Sequence, residues 1–194
     1  MATGIYAGSF DPLTNGHIDI AVRSHQFFDK LVIAVGINPN KKTLFSEEER
    51  QLFIRQSFAH FPNIKVASFQ GLLVDYAKEI GATVLVRGIR SVSDFEYEMN
   101  LASINKTLAP DIETMFLPTS PKLAIVSSSM VKEVAKYGGD ISSFVPKHVM
   151  EAIQVKFGPA DCPKCGEINA LQLTADIPPF RYCPSCSWNS ALKS

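Results

Sequence analysis

Five short apolar runs, each followed by a stretch of helical periodicity, restrict this 194-residue chain to very few folds. The runs are residues 4–8, 31–35, 64–68, 83–86 and 113–117. Leu31-Val32-Ile33-Ala34-Val35 is apolar without alternation, as a strand covered on both faces requires. Helical patterns fill residues 16 to about 28, 46 to about 58, 72–80 and 93 to about 108, with two more over 127–137 and 146–157. Ser46-Glu47-Glu48-Glu49 and the stretch from Ser93 to Glu96 read as capping boxes, Gly81 as a helix stop, and Pro146 as a first-turn residue. Strict alternation of strand and helix predicts an α/β fold: a parallel five-stranded sheet with right-handed crossovers and helices on both faces.

Sheets of this kind bind ligands beyond the carboxyl ends of their strands. The polar clusters fall at those ends: Gly8-Ser9, residues 38–42, Gly71, residues 87–90 and residues 120–129. After the first strand, Thr14-Asn15-Gly16-His17 opens a helix, whose unpaired N–H groups and partial positive charge suit a phosphate. Arg87 and Arg90 flank Gly88, and Lys41-Lys42 sits in a neighbouring loop. Taken singly, each has a plainer reading: a capping histidine, snorkelling arginines, solvated lysines, a serine N-cap. Their convergence on one rim points to anion binding. No Walker A pattern, no G-x-G-x-x-G after a strand and no G-x-S-x-G elbow is present, which speaks against kinase-type, dinucleotide-oxidoreductase and hydrolase chemistry. Phosphoryl and nucleotidyl transfer need no protein nucleophile, so anion binders without one remain chemically sufficient.

The formal net charge of zero gives no global field to recruit nucleic acid or an anionic membrane. No apolar stretch approaches bilayer-spanning length, and the start of the chain shows no signal-peptide pattern, so a cytoplasmic protein is expected.

All four cysteines, Cys162, Cys165, Cys183 and Cys186, lie near the C-terminus, and this sets the expected boundary between a domain over 1–157 and a tail over 158–194. Two C-P-x-C knuckles 17 residues apart match a structural zinc pattern, with two short strands between them around residues 171–173 and 180–182. Two redox pairs or a disulfide staple are the competing readings, disfavoured by the doubled motif and the expected compartment.

The run Gly8-Ser9-Phe10-Asp11-Pro12-Leu13-Thr14-Asn15-Gly16-His17-Ile18-Asp19 closely resembles the signature of bacterial phosphopantetheine adenylyltransferases. It is a version of the H-x-G-H motif of nucleotidyltransferases with Thr14 at the first histidine. The resemblance continues through Asn38 to Lys42, Val86 to Glu98 and Ser127 to Val134. It implies a Rossmann-like sheet, transfer of AMP from ATP to 4′-phosphopantetheine, accompanying Mg²⁺, and a homohexamer. By motif position it implies that His17 stabilises the transition state, aided by Lys41 and Arg90. Ser9, Phe10, His17, Gly88, Ile89, Arg90 and Glu98 would hold ATP, together with Leu123, Ala124, Ile125, Val126, Ser127, Ser128 and Ser129. Ser9, Lys41, Leu73 and Arg87 would hold phosphopantetheine. Two departures stand out: Ala7 replaces a common proline, and Leu123 to Val126 lack the aromatic residues usual there. Members of the family ordinarily end near the last helix, so the resemblance leaves the cysteine tail uncovered. Other readings are a nucleotidyltransferase using another phosphorylated acceptor or CTP, or a non-catalytic relative that docks a partner through the ribbon.

Overall fold

A computed structural model describes residues 2–158, 164–167, 172–173 and 181–188. Five parallel strands form the sheet: β1 (Thr3–Gly8), β2 (Lys30–Ile37), β3 (Ile64–Gln70), β4 (Val84–Ile89) and β5 (Glu113–Pro118). Their order is β3-β2-β1-β4-β5, so the chain reverses its direction of growth between β1 and β4. That switch point opens a crevice at the carboxyl ends of the two strands.

Six α-helices accompany the sheet: α1 (Asn15–Ser24), α2 (Glu47–Ser57), α3 (Leu73–Glu79), α4 (Val92–Leu108), α5 (Ser128–Lys136) and α6 (Lys147–Phe157). The period of two decides which face each strand residue covers. From β2, Leu31, Ile33 and Val35 join a core with residues of α1, α2, α5 and α6, while Val32 and Ala34 join a second core with Val74 and Ala77 of α3. Both faces are thus covered, as the unbroken apolar run in β2 requires.

Three boundaries differ from expectation. Pro146 is the N-cap of α6 rather than a first-turn residue, its backbone extended at ψ 153°. The first helix ends at Ser24 rather than near Phe28, and His25–Phe27 tighten into a 3₁₀ turn. The N-cap of α4 is Ser91, not Ser93. Ser91 has the extended backbone a cap needs, and its hydroxyl accepts from the Asp94 N–H at 3.2 Å. Ser93 already lies inside the helix, its hydroxyl 3.0 Å from that of Ser91.

In α4 only Glu98 is buried, and Val92, Phe95, Tyr97, Met99, Ile104 and Leu108 are exposed. In the tail, β6 (Gln172–Leu173) pairs antiparallel with β7 (Arg181–Tyr182), the two-strand frame expected between the knuckles.

Candidate functional site

Two cavities open side by side at the switch point. The first, about 300 Å³, lies between β1, β4 and the N-termini of α1 and α5. The second, about 500 Å³, lies over the ends of β1 and β2 and is walled by Asn38, Lys41, Phe69, Leu73 and Tyr97. Ala7, Gly8, Ser9 and Arg87 line both, so they form a shared wall.

The loop after β1 holds its shape through buried partners. Phe10 takes φ +47°, and its fully buried ring packs edge-on against Tyr6 and His17, with centroids 5.5 and 5.1 Å away. Asp11, 1% exposed, accepts from the N–H groups of Leu44 and Phe45 and pairs with Lys132 at 2.8 Å. This single carboxylate ties the β1 loop to the segment leading into α2 and to α5. The Thr14 hydroxyl caps α1, and the Thr14 N–H donates to Nδ1 of His17 at 3.0 Å. An imidazole accepting at Nδ1 carries its proton on Nε2. Burial, joined by a smaller effect of the nearby Arg90 charge, pushes the His17 pKa down to about 4. His17 is therefore a neutral, oriented N–H donor on the wall of the first cavity. It is the capping histidine of the plainer reading and a cavity residue at once.

Arg87 enters from β4. Its Nε and Nη2 donate to the two oxygens of Glu98, at 2.7 and 2.5 Å, and Nη1 donates to the Ala7 carbonyl at 3.1 Å. Burial weighs against this charge, and the Glu98 carboxylate more than offsets it, holding the guanidinium pKa above its ordinary value. Arg90 stays exposed, with its side chain and backbone N–H directed to Asp94. Gly88 between them is required sterically: a Cβ there would lie 2.9 Å from the Ile20 side chain, so the glycine lets β4 approach α1.

Ser127 caps α5 by accepting from the Met130 N–H, and Ser128 donates to the Pro12 carbonyl, joining α5 to the β1 loop. Two helix N-termini, of α1 and α5, thus border one cavity and add their partial positive charges to the arginines. Asp19 of α1 receives the Ser120 N–H and hydroxyl, which with Arg23 lower its pKa against the opposing effect of burial.

Of the residues singled out in the sequence, Ser9, Phe10, His17, Gly88, Arg90, Glu98, Val126, Ser127, Ser128 and Ser129 line the first cavity, and Ser9, Lys41, Leu73 and Arg87 line the second. Ile89, Leu123, Ala124 and Ile125 do not line the first cavity; Ile125 is 66% exposed, whereas Val126 turns into the core. Thr14 and Asp94 also line the first cavity, and sequence reasoning missed them as site residues. The signal for Thr14 was legible: a threonine three residues before a polar side chain is a capping box with histidine in the usual acid's place.

Among the described cysteines, the Sγ atoms of Cys165, Cys183 and Cys186 lie within 4.8 Å of one another, and Cys165 to Cys183 is 3.8 Å. A four-sulfur tetrahedron with Zn–S near 2.3 Å has edges of about 3.8 Å. The residue after the second cysteine of each knuckle takes a positive φ, Gly166 at 73° and Ser187 at 58°. Cys162 lies outside the described residues.

The cytidylyltransferase-like family profile matches residues 5–134. A phosphopantetheine adenylyltransferase of Herpetosiphon aurantiacus is 51% identical over 154 residues, covering 79% of this chain and 93% of its own. Phosphopantetheine adenylyltransferases of Shouchella clausii, 53% identical over 79% of this chain and 97% of their own, and of Alkaliphilus metalliredigens, 50% identical over 80% and 99%, are similarly related. Among solved structures, one from Vibrio parahaemolyticus, named as a candidate nicotinate-nucleotide adenylyltransferase, superposes with a TM-score of 0.60 at 16% identity. It covers 79% of this chain and 99% of its own, a likeness of fold alone.

Proposed function

This chain belongs to the phosphopantetheine adenylyltransferase family, and from that premise we propose that it transfers AMP from ATP to 4′-phosphopantetheine, giving dephospho-coenzyme A and pyrophosphate. The observation that carries the reading is the shared wall: two cavities meet at Ser9 and Arg87, where two phosphorylated ligands would face each other. Bringing polyanions together needs cations and N–H donors already in place.

In this reading the first cavity takes the nucleotide and the second takes phosphopantetheine. ATP lies against His17, Gly88, Arg90 and the serines at the start of α5, and the acceptor phosphate reaches Ser9, Lys41 and Arg87. The acceptor phosphate attacks the α-phosphorus in line and pyrophosphate leaves, with no covalent enzyme intermediate. Neutral His17, its proton fixed on Nε2 by the Thr14 N–H, donates to the α-phosphate oxygens as negative charge gathers there. A neutral imidazole N–H is too weak an acid to give up its proton at physiological pH, so its role is electrostatic rather than acid catalysis. Mg²⁺ accompanies the nucleotide. The two carboxylates on this cavity, Asp94 and Glu98, are already directed to Arg90 and Arg87, which favours the phosphates as the source of its ligands.

The tail reads as a four-cysteine structural zinc ribbon, with Cys162 completing the set begun by Cys165, Cys183 and Cys186. The relatives use nearly all of their own length to match about four-fifths of this chain, which supports a domain over 1–157 and an added tail over 158–194. The exposed apolar side chains of α4 support a homo-oligomer, a hexamer by family resemblance. No helix among the described residues is long and apolar enough to cross a membrane, in keeping with cytoplasmic work on soluble metabolites.

Pyrophosphate release with ATP and phosphopantetheine, against a panel of other phosphorylated acceptors and CTP, tests the reading on the full chain and on residues 1–157. Release with phosphopantetheine and ATP alone is expected. A preference for another pair, or no release with any, overturns it.

A further inference from the structure

Arg50 carries its charge where it is least favoured. It lies in the first turn of α2, at the positive end of that helix's dipole, and is 4% exposed. Among the described residues no carboxylate lies within ion-pair distance of its guanidinium. The acids of the same turn are bonded elsewhere: Glu47 to Gln51, Glu48 to the Ser46 hydroxyl, and Glu49 to the Ser46 N–H and Lys156. Buried cations normally have a paired anion. This one has only carbonyls: Ser46 at 3.2 Å, Ser9 at 2.8 Å and Gly36 at 3.4 Å.

Two of those carbonyls mark the ends of β1 and β2, the strands whose loops carry Ser9 and Lys41. The Ser9 carbonyl is the more informative. A trans peptide is planar, with C=O and N–H on opposite sides, so turning the Ser9 carbonyl toward Arg50 sends the Phe10 N–H away from it. Phe10 is 1% exposed and lines the first cavity. Among the described residues its N–H has no acceptor within the protein. Buried backbone N–H groups are nearly always paired.

We propose that Arg50 is a positioning residue: it locks the Ser9–Phe10 peptide so that the Phe10 N–H is presented to a phosphate oxygen of the bound polyphosphate chain. The polyanion adds negative charge near a guanidinium that feels Glu48 only through space and has no ion-paired carboxylate among the described residues. Lysine cannot substitute fully, because one ammonium does not span three carbonyls as the guanidinium fork does. The inference rests on the reading of the first cavity as the nucleotide phosphate site.

Inorganic pyrophosphate is the probe, because its binding needs neither acceptor nor turnover. Binding is measured by calorimetry on the intact protein, and the Phe10 amide is followed by NMR in a ¹⁵N-phenylalanine sample. In the wild type, pyrophosphate is expected to bind and to shift the Phe10 amide. In Arg50→Met we expect affinity to fall at least tenfold and the amide response to be lost. In Arg50→Lys we expect a three- to tenfold fall with a reduced response, and this variant decides the matter if Arg50→Met does not fold. A wild type that does not bind pyrophosphate, or a folded variant within twofold of wild-type affinity with the Phe10 response intact, overturns the proposal. Pyrophosphate binding that depends on Arg50 in a protein inactive with phosphopantetheine supports this proposal while removing the assigned reaction.

Discussion

Acidifying the protein from pH 8 to pH 5 should reveal how His17 is held. Its ring accepts the Thr14 N–H at Nδ1, and burial brings its pKa from 6.5 down to about 4. The folded protein therefore binds this proton more weakly than the unfolded chain does. Between about pH 6.5 and 4 the unfolded state holds more protons, so stability falls as pH falls through that window. Integrated from pH 8 to pH 5, the loss attributable to His17 is at most about 2 kcal/mol. His17→Gln keeps the capping geometry, since its amide oxygen can accept from Thr14 and its NH₂ can face the cavity, but it cannot titrate. Its stability should therefore fall about 2 kcal/mol less than the wild type's over the same range. In a domain of this size that difference is roughly 4–8 °C in the unfolding midpoint. Differential scanning fluorimetry at the two pH values measures it for both proteins, so contributions from the other histidines cancel. NMR titration of the His17 ring should give a midpoint near 4. Parallel pH slopes in the two proteins, or a ring midpoint near 6.5, would refute the neutral-donor assignment.

Turnover should follow the same donor. His17→Ala is expected to lower kcat by roughly 10²-fold or more with a smaller effect on KM, as in removal of a single transition-state donor, and His17→Gln to recover part of the loss. Unchanged turnover in His17→Ala would remove that role. Arg87→Ala should raise the KM for phosphopantetheine and destabilise the fold by roughly 3 kcal/mol, because it leaves the buried Glu98 carboxylate unpaired. A normal KM for that substrate would count against the shared-wall assignment. Elemental analysis should find one zinc per chain, falling when Cys165 or Cys183 is replaced by serine, and a metal-free wild type would contradict the ribbon. Phe95→Asp on α4 should shift the assembly to smaller species by light scattering, since it places a charge beside the exposed Val92 and Met99 on the same side of the helix. An unchanged mass would free α4 from that interface.

Much of the architecture was legible in the chain because it rests on local pattern. Five apolar runs alternating with amphipathic segments specify a parallel sheet, and caps such as Ser46 and Ser127 announce helix starts within one residue. Where two serines competed for one cap, at Ser91 and Ser93, the pattern pointed to the wrong one. The capping-box spacing suits Ser93, but the extended backbone falls at Ser91. Site residues were legible where a motif concentrates them, as in residues 8–17 and 87–90. They were not legible where they act through long-range contacts. Arg50 is one such residue, meeting the Ser9 carbonyl only once α2 is set against the end of β1.

By itself, the sequence determined the alternation of strands and helices, the loops that would share a rim, and the knuckle spacing of the cysteines, since each depends on short-range periodicity or chemistry. The tertiary structure alone decided that two cavities share the wall of Ser9 and Arg87, that Thr14 fixes the proton of His17, and that Arg50 holds the Ser9 carbonyl from 41 residues away. Those facts depend on strand order and on which carbonyl a buried charge meets. No local pattern encodes either, because the partners become neighbours only when the sheet closes around its switch point.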